Sequence, residues 1–148
     1  MVKRTSHEAT GCPVARSLDA IGDWWSLLIV RDAFRGKRRF GEFQKSTGAA
    51  KNILSIRLRN LVEFGILETV PVSDESAFHE YVLTQKGIDL FPVVTALWQW
   101  GEKYFFEAGE RHPVLRDRLT KKLIPKLEVL AADGRRLRHT DTTLMPQG

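Results

Sequence analysis

The sequence has 148 residues, is 43% apolar, and carries a net charge of +5 with an isoelectric point near 9.6. This length and apolar content suit one domain with its own hydrophobic core, so a dependence on disulfides or structural metal is not expected. The basic charge favours an anionic partner, either nucleic acid or a membrane surface. Cys12 is the single cysteine, which excludes an internal disulfide and fits a reducing cytosol.

The sequence lacks the signals of secretion, membrane insertion and catalysis. Its N-terminal stretch has no apolar core of the kind that a signal peptide needs. The longest apolar stretch, residues 24–34, is interrupted by Ser26, Arg31 and Asp32 and is too short to span a membrane. No metal-spaced cluster, phosphate-binding loop or nucleophile motif occurs. We therefore expect a cytoplasmic protein that is not an enzyme and uses no cofactor.

Two helices are predicted near the N-terminus, after a polar and flexible stretch over residues 1–11. Pro13 suits the first position of a helix, and apolar residues recur after it at helical spacing. Asp23 is the expected N-cap of the second helix. Residues 24–34 are apolar nearly all round, so we place this helix at the centre of the core.

A helix-turn-helix is predicted next. Residues 40–47 form a short helix that stops at Gly48, and residues 51–64 form a longer helix that stops at Gly65. A short helix, a turn that contains glycine and a longer helix are typical of this motif. Four of the five residues just before it, at positions 35–39, are basic.

The longer helix has two distinct faces. Leu54, Leu58 and Leu61 share one face at helical spacing. The opposite face is polar and basic and consists of Asn52, Ile56, Arg59 and Glu63, with Ser55 at its flank. Such a helix can pack on one side and read a groove on the other, although an ordinary surface helix with two arginines explains this segment equally well.

A β-hairpin is predicted directly after this helix. Residues 66–72 are rich in β-branched and apolar side chains, residues 73–77 form a polar turn, and residues 78–83 return as a second strand. A hairpin in this position is the wing of a winged helix-turn-helix domain.

A long aromatic helix is predicted after the wing. Thr84 can cap it, and Pro92 should kink or split it. Its aromatic surface is larger than a small domain readily buries, and consists of Phe91, Trp98, Trp100, Tyr104, Phe105 and Phe106. We interpret the excess as a dimer interface; closure of the monomer core is the alternative.

The C-terminal extension, residues 111–148, is basic. Residues 123–130 are strand-like, and the Asp133-Gly134 pair favours a hairpin turn. A small β-hairpin appendage and a mobile basic tail both fit this pattern, and the strand-like content favours the appendage. The predicted organisation is a flexible N-terminus over residues 1–11, a domain over residues 12–110 and this extension.

Five motifs occur in a familiar order. They are Cys12-Pro13-Val14, IGDWWSLLIVRDAF at residues 21–34, Arg39-Phe40, LSIRLRNLVEFGILE at residues 54–68 and EYVLTQKG at residues 80–87. Together they resemble the HxlR family of bacterial winged helix-turn-helix transcriptional regulators over residues 12–101. Each motif alone is a weak signal, and their order makes the resemblance specific.

The resemblance implies a winged helix-turn-helix domain with a β-hairpin wing, followed by a C-terminal dimerisation helix. Together with the small C-terminal β-hairpin appendage that the composition favours, this predicts a mainly α, α+β fold. It implies a homodimer that binds a palindromic double-stranded DNA operator. The dimer contacts would come from residues 14–21 and 91–106, and residues 51–64 would be the recognition helix.

The predicted DNA contacts fall on the recognition helix, the basic segment before it and the wing. Asn52 can pair with adenine, Arg59 with guanine or a phosphate, and Ile56 with a thymine methyl group. Arg57 lies nearer the flank, where a structural or phosphate contact is expected. The full set of predicted contacts is Arg38, Arg39, Lys45, Lys51, Asn52, Ser55, Ile56, Arg57, Arg59 and His79.

Two departures from the family pattern weaken the predicted interface. Ala50 stands where many relatives have a capping serine, and that loss costs about 1 kcal/mol. At the wing, Phe78 and His79 stand where relatives often have a basic residue, with Asp74 and Glu75 nearby. A wing that enters the minor groove benefits from Arg or Lys, so we expect a weak contribution.

Two effector sites are predicted. Cys12 lies near the start of the first helix, where a thiolate is favoured, and the resemblance implies that an oxidant or electrophile is sensed there; a buried structural thiol is the alternative. A small-molecule pocket between the aromatic helix and the DNA-binding core would use Trp24, Trp98 or Trp100. A winged-helix module that binds protein instead of DNA is a further alternative.

Overall fold

The computed structural model describes residues 5–73 and 78–147. Along these ranges the chain forms helices and one two-stranded sheet. In chain order the elements are α1 (Pro13–Ile21), α2 (Ser26–Phe34), α3 (Phe40–Thr47), α4 (Lys51–Glu63), β1 (Leu67–Pro71), β2 (His79–Leu83), α5 (Gln85–Ile88), α6 (Phe91–Phe105) and a 3-10 turn at His139–Asp141. This order confirms the predicted mainly α, α+β winged helix-turn-helix fold.

The chain divides into two compact units between Val94 and Thr95. The division falls within α6, ahead of the boundary after residue 110 that the composition suggested. Across the described ranges, none of the helices combines the length and the apolar character that crossing a bilayer requires.

The start of α2 is set by Asp23. Its carboxylate accepts hydrogen bonds from the backbone amides of Trp25 and Ser26, at 2.9 and 3.0 Å, and from the Ser26 hydroxyl. Helix α2 begins at Ser26 with Trp25 at the N-cap position, so the prediction of Asp23 as the N-cap was wrong by two residues, although its side chain still accepts the first amides. The prediction of a buried helix from residue 24 was wrong at that end, because Trp24 and Trp25 form the turn that Asp23 closes and Trp24 is 87% exposed.

The core of the first unit is built around α4. Leu54, Leu58 and Leu61 are fully buried, as their helical spacing predicted. They belong to one cluster with Ile29 of α2 and Phe43 of α3. Because the leucines occupy one side of α4, the opposite side is turned to solvent.

The wing pairs as predicted. Strands β1 and β2 are antiparallel, with Leu67 opposite Leu83, and Leu67 is buried in the core. Residues 74–77, which include most of the predicted turn and its acidic pair Asp74 and Glu75, lie outside the described ranges.

A close backbone contact joins the wing to α5. The Thr84 amide donates to the Ile66 carbonyl at 3.1 Å, and the Thr84 hydroxyl donates to the Gly65 carbonyl. The Thr84 oxygen also accepts a hydrogen bond from the Gly87 amide at 3.1 Å, which caps α5. At Gly87 an added Cβ would lie 2.2 Å from the Ile66 carbonyl oxygen, so this position accommodates only glycine.

The long helix predicted after the wing is divided in two. Helix α5 ends at Ile88 and α6 begins at Phe91, with Pro92 at the second position of α6. Proline has no backbone N–H and is tolerated in the first turn of a helix. The split therefore falls immediately before the proline.

The C-terminal extension turns back at the predicted Asp133-Gly134 pair, but its arms form no regular ladder in the described ranges. Its antiparallel bridges are isolated ones, between Leu130 and Arg136 and between Arg116 and Leu123. Most of its side chains are exposed. A two-stranded ladder without a buried apolar face is marginal in water, so the predicted hairpin appendage consists of turns and single bridges.

The variant Gly87→Ala should destabilise the first unit, because the added Cβ must displace the Ile66 carbonyl. Overpacking of this kind costs about 1–3 kcal/mol, which urea denaturation measures. Gly41→Ala in α3 is the matched control, since a Cβ there meets nothing within 4 Å, and it should be neutral or slightly stabilising. Equal unfolding free energies for the two variants would contradict the close contact.

Candidate nucleic-acid interface

The solvent-facing side of α4 carries five of the predicted contacts. Lys51, Asn52, Ser55, Ile56 and Arg59 are all exposed, opposite the buried leucines. They combine hydrogen-bond donors and acceptors, an aliphatic group and two positive charges. These are the groups that contact base edges and phosphates in a DNA groove.

The N-terminus of α4 has no side-chain cap. Ala50 occupies the N-cap position in an extended conformation and makes no capping hydrogen bond, as the absence of a serine there predicted. The first backbone amides of α4 therefore remain available to an external acceptor, and the helix dipole favours an anion there. Lys51 adds a positive charge at the same end.

Arg57 differs from the other α4 contacts because it is half-buried against Asp23. Its Nε lies 3.4 Å from Asp23 Oδ2. The same carboxylate caps α2, so one acidic side chain links the start of α2 to the middle of α4. This contact gives Arg57 a structural role.

The Asp23 carboxylate is held in its ionised form. Burial raises its pKa, but the Ser26 hydroxyl, the Trp25 amide, the Arg57 guanidinium and the Ser26 amide together lower it more. The pKa of Asp23 therefore lies below its ordinary value of 3.8. The link between α2 and α4 is consequently charged at neutral pH.

Arg38 and Arg39 share one acidic partner on the wing. The Nε atoms of Arg38 and Arg39 lie 2.5 and 3.7 Å from the two carboxylate oxygens of Glu80. The Tyr81 amide donates to the Arg38 carbonyl at 2.7 Å, which fastens the basic segment to β2. Both arginine side chains stay more than half exposed, whereas Glu80 is 17% exposed. The sequence analysis did not identify Glu80 as a partner of the two arginines. The one feature that could have indicated it is an acidic residue within a strand whose other positions are mostly half-buried.

The turn before α3 is fixed by a second acid. The Glu42 carboxylate accepts hydrogen bonds from the amides of Arg38 and Arg39, at 3.3 and 3.1 Å, and these bonds lower the pKa of Glu42. The remaining predicted contacts, Lys45 in α3 and His79 at the start of β2, are exposed. Every predicted DNA contact except Arg57 is therefore exposed.

The predicted effector residues lie at separate places. Cys12 is exposed at the N-cap of α1, so the alternative of a buried thiol is wrong. In the second unit, Trp98 lines a cleft of about 230 Å³ and Trp100 lines a different cleft of about 670 Å³. Trp24 belongs to the first unit and lines neither of these clefts.

Comparison with known proteins gives a family match. The model of the HxlR-like helix-turn-helix family matches residues 20–108. An uncharacterised HTH-type transcriptional regulator of Mycobacterium tuberculosis (strain CDC 1551 / Oshkosh) is 46% identical over 103 residues, which is 70% of this chain and 65% of the relative. The chain thus spans just under two thirds of that relative's length.

Two solved structures extend the comparison. The crystal structure of PA1607, described as a candidate transcription factor, is 54% identical with a TM-score of 0.92, over 97% of this chain and 100% of that one. The redox regulator HypR in its reduced form is 32% identical with a TM-score of 0.58, over 62% of this chain and 92% of that one. An oxidised form of HypR matches with the same TM-score of 0.58.

Stability should depend on pH through Asp23. The pKa of Asp23 in the folded protein lies below 3.8. The stabilisation that its charged carboxylate contributes is therefore fully present above the pKa of Asp23 in the unfolded chain, and it is lost as the pH falls through the pKa in the folded protein. Asp23→Asn removes the charge that contacts Arg57 and should lower the free energy of unfolding by up to about 1 kcal/mol near neutral pH, and by less at about pH 3. Urea titrations at both pH values measure the difference, and an equal difference at the two would contradict the assignment.

Proposed function

Because this chain belongs to the HxlR-like helix-turn-helix family, we propose that it is a transcriptional regulator that binds double-stranded DNA, and not an enzyme. The observation that carries the proposal is the exposed polar side of α4, which is backed by three fully buried leucines. A helix held in this way can enter a major groove while its other side stays in the core.

Helix α4 reads bases in the major groove. That groove is about 12 Å wide and admits one helix, and the 13 residues of α4 extend over about 20 Å. The N-terminal half and the middle of α4 therefore meet the base edges. Asn52 pairs with adenine, Arg59 pairs with guanine, and Ile56 contacts a thymine methyl group.

The phosphate contacts set the register of the protein on DNA. Arg38, Arg39 and Lys45 are exposed cations, and the uncapped amides of α4 are directed at an anion. Contacts of this kind carry no sequence information. The carboxylate of Glu80 reduces the repulsion between the two arginines and presents them to the phosphates as a preformed pair.

The regulator acts as a homodimer on a palindromic operator. Val14 of α1 and Phe105 of α6 are each 68% exposed, and Trp100 and Tyr104 are also exposed. Each of these exposed apolar surfaces, on α1 in the first unit and on the part of α6 in the second, is covered in solution by a second copy of the chain. Two-fold pairing then presents two α4 helices to half-sites about 34 Å apart, one turn of DNA.

Oxidation of Cys12 weakens operator binding. The thiol is exposed, and it directly precedes α1, which carries part of the proposed dimer surface. HypR, which shares the fold, is a redox regulator solved in reduced and oxidised forms. A sulfenic acid at Cys12, or a disulfide between two copies of it, changes the packing of α1 and with it the spacing of the two α4 helices.

Asn52→Ala and Arg59→Ala should each relax sequence discrimination. The preferred duplex is first selected from a random pool, and its affinity is compared with that of a scrambled duplex. Each loss of a base contact should reduce the discrimination by about 1–3 kcal/mol, which is roughly 5- to 150-fold.

Asn60→Ala is the matched control, because Asn60 is half-buried in the same helix and does not belong to the exposed face. It should leave discrimination unchanged. The readout assignment fails if the double variant of Asn52 and Arg59 folds normally and still separates the two duplexes as well as the wild-type protein does.

Hydrogen peroxide should weaken operator binding by the wild-type protein and leave the variant Cys12→Ser unaffected. Cys12 is the only cysteine of the sequence, so mass spectrometry of the treated protein distinguishes a sulfenic acid from a disulfide-linked dimer. Equal losses of binding in the two proteins would rule out Cys12 as the sensor.

A further inference from the structure

The second unit contains an ordered basic turn, defined here as residues 116–123. Its two ends are joined by the antiparallel bridge between Arg116 and Leu123. Within it, the Asp117 carboxylate accepts hydrogen bonds from the amides of Leu119 and Thr120, at 2.7 and 3.1 Å. The bridge and these bonds fix the backbone, so the turn presents its side chains in a defined arrangement.

Asp117, the single acidic residue of the basic turn, accepts hydrogen bonds from the backbone of the turn. Hydrogen bonds from the Thr120 and Leu119 amides lower the pKa of Asp117, so its carboxylate is ionised and offsets one of the four positive charges of the turn. Arg116 likewise donates to a carbonyl within the turn, that of Lys121, at 2.8 Å. The other cations of the turn are Arg118, Lys121 and Lys122, which are all exposed, and Arg116 is exposed as well and keeps its charge.

Three other cations of the extension are arranged differently. Near the Asp133-Gly134 turn, three arginines each have an acidic partner, at N–O distances of 2.8, 2.8 and 3.3 Å. These pairs are Arg135 with Asp133, Arg136 with Glu128, and Arg138 with Asp141. Among the described residues, no such ion pair involves Arg118, Lys121 or Lys122. The uncompensated positive charge is therefore concentrated there.

Lys121 has a φ of 63°, in the left-handed region that glycine and asparagine adopt more readily. Backbone preference therefore does not account for a lysine at this position. Lys122 follows it directly in the chain, and Leu119, between Arg118 and Lys121 in the sequence, is 90% exposed.

We propose that the basic turn is a second DNA-binding site, which contacts phosphate oxygens of the duplex backbone without reading sequence. The inference rests on the DNA binding proposed for α4. Arg118 can bind a phosphate through two donors, and the two lysines act as point charges. Each phosphate neutralised releases condensed counterions, so this site raises affinity in a strongly salt-dependent way.

The test compares two variants of the full chain that lose the same charge. The first carries Arg118→Gln, Lys121→Asn and Lys122→Gln, where asparagine keeps the left-handed backbone. The control carries Arg135→Gln, Arg136→Gln and Arg138→Gln, at the paired arginines. Dissociation constants for the selected duplex and a scrambled duplex are measured over a range of salt concentrations, and thermal unfolding verifies the fold.

In the basic-turn variant, the magnitude of the slope of log affinity against log salt should fall by about 2–3. At low salt, its affinity for both duplexes should fall by the same factor, roughly tenfold or more. The control should keep a slope near that of the wild-type protein. In addition, DNA should protect Lys121 and Lys122 of the wild-type protein from acetylation.

Equal slopes for the two variants, or unprotected lysines, would overturn the inference while the discrimination lost in Asn52→Ala still supports the reading by α4. If the wild-type protein itself shows no salt-dependent DNA binding, the proposed function fails as well. Binding to anionic phosphatidylglycerol vesicles that only the basic-turn variant loses, with an unchanged DNA slope, would overturn the inference in favour of a lipid surface.

Discussion

The burial of Leu54, Leu58 and Leu61 is the constraint on which the proposed DNA interface depends. These side chains are fully removed from water in the cluster that also contains Ile29 and Phe43. Burying them contributes roughly 5–9 kcal/mol in total, so a rotation of α4 about its axis is strongly opposed. The fixed rotation is what keeps the polar side of the same helix exposed.

Two acidic side chains position basic groups around this helix. Asp23 caps α2 and contacts Arg57 of α4, whereas Glu80 holds Arg38 and Arg39 against the wing. Glu80 is more buried than Arg38 and Arg39, so its attraction orders the two arginine side chains while they stay exposed to solvent. The protein thus carries positive side chains that are already arranged, which would lower the entropy lost in the proposed binding to DNA.

The sequence predicted those features that depend on local spacing. Leucines at helical spacing predicted α4 and its buried side, and glycines predicted where the helices end. The change from helical to alternating periodicity predicted the wing. Contacts between distant positions were not predictable in this way. Glu80 meets Arg38 only because β2 folds back beside the basic segment, and Trp24 is exposed because Asp23 delays the start of α2. In the extension, the strand-like composition predicted a regular hairpin that the structure does not contain, because few of the side chains there are buried.

The most direct test is a crystal structure of the protein bound to the duplex selected from a random pool. We predict the N-terminal half of α4 in a major groove, with Asn52 or Arg59 within hydrogen-bond distance of a base edge and with Leu54 and Leu58 still buried. A complex in which α4 touches only phosphates, or in which another element occupies the groove, would contradict the account.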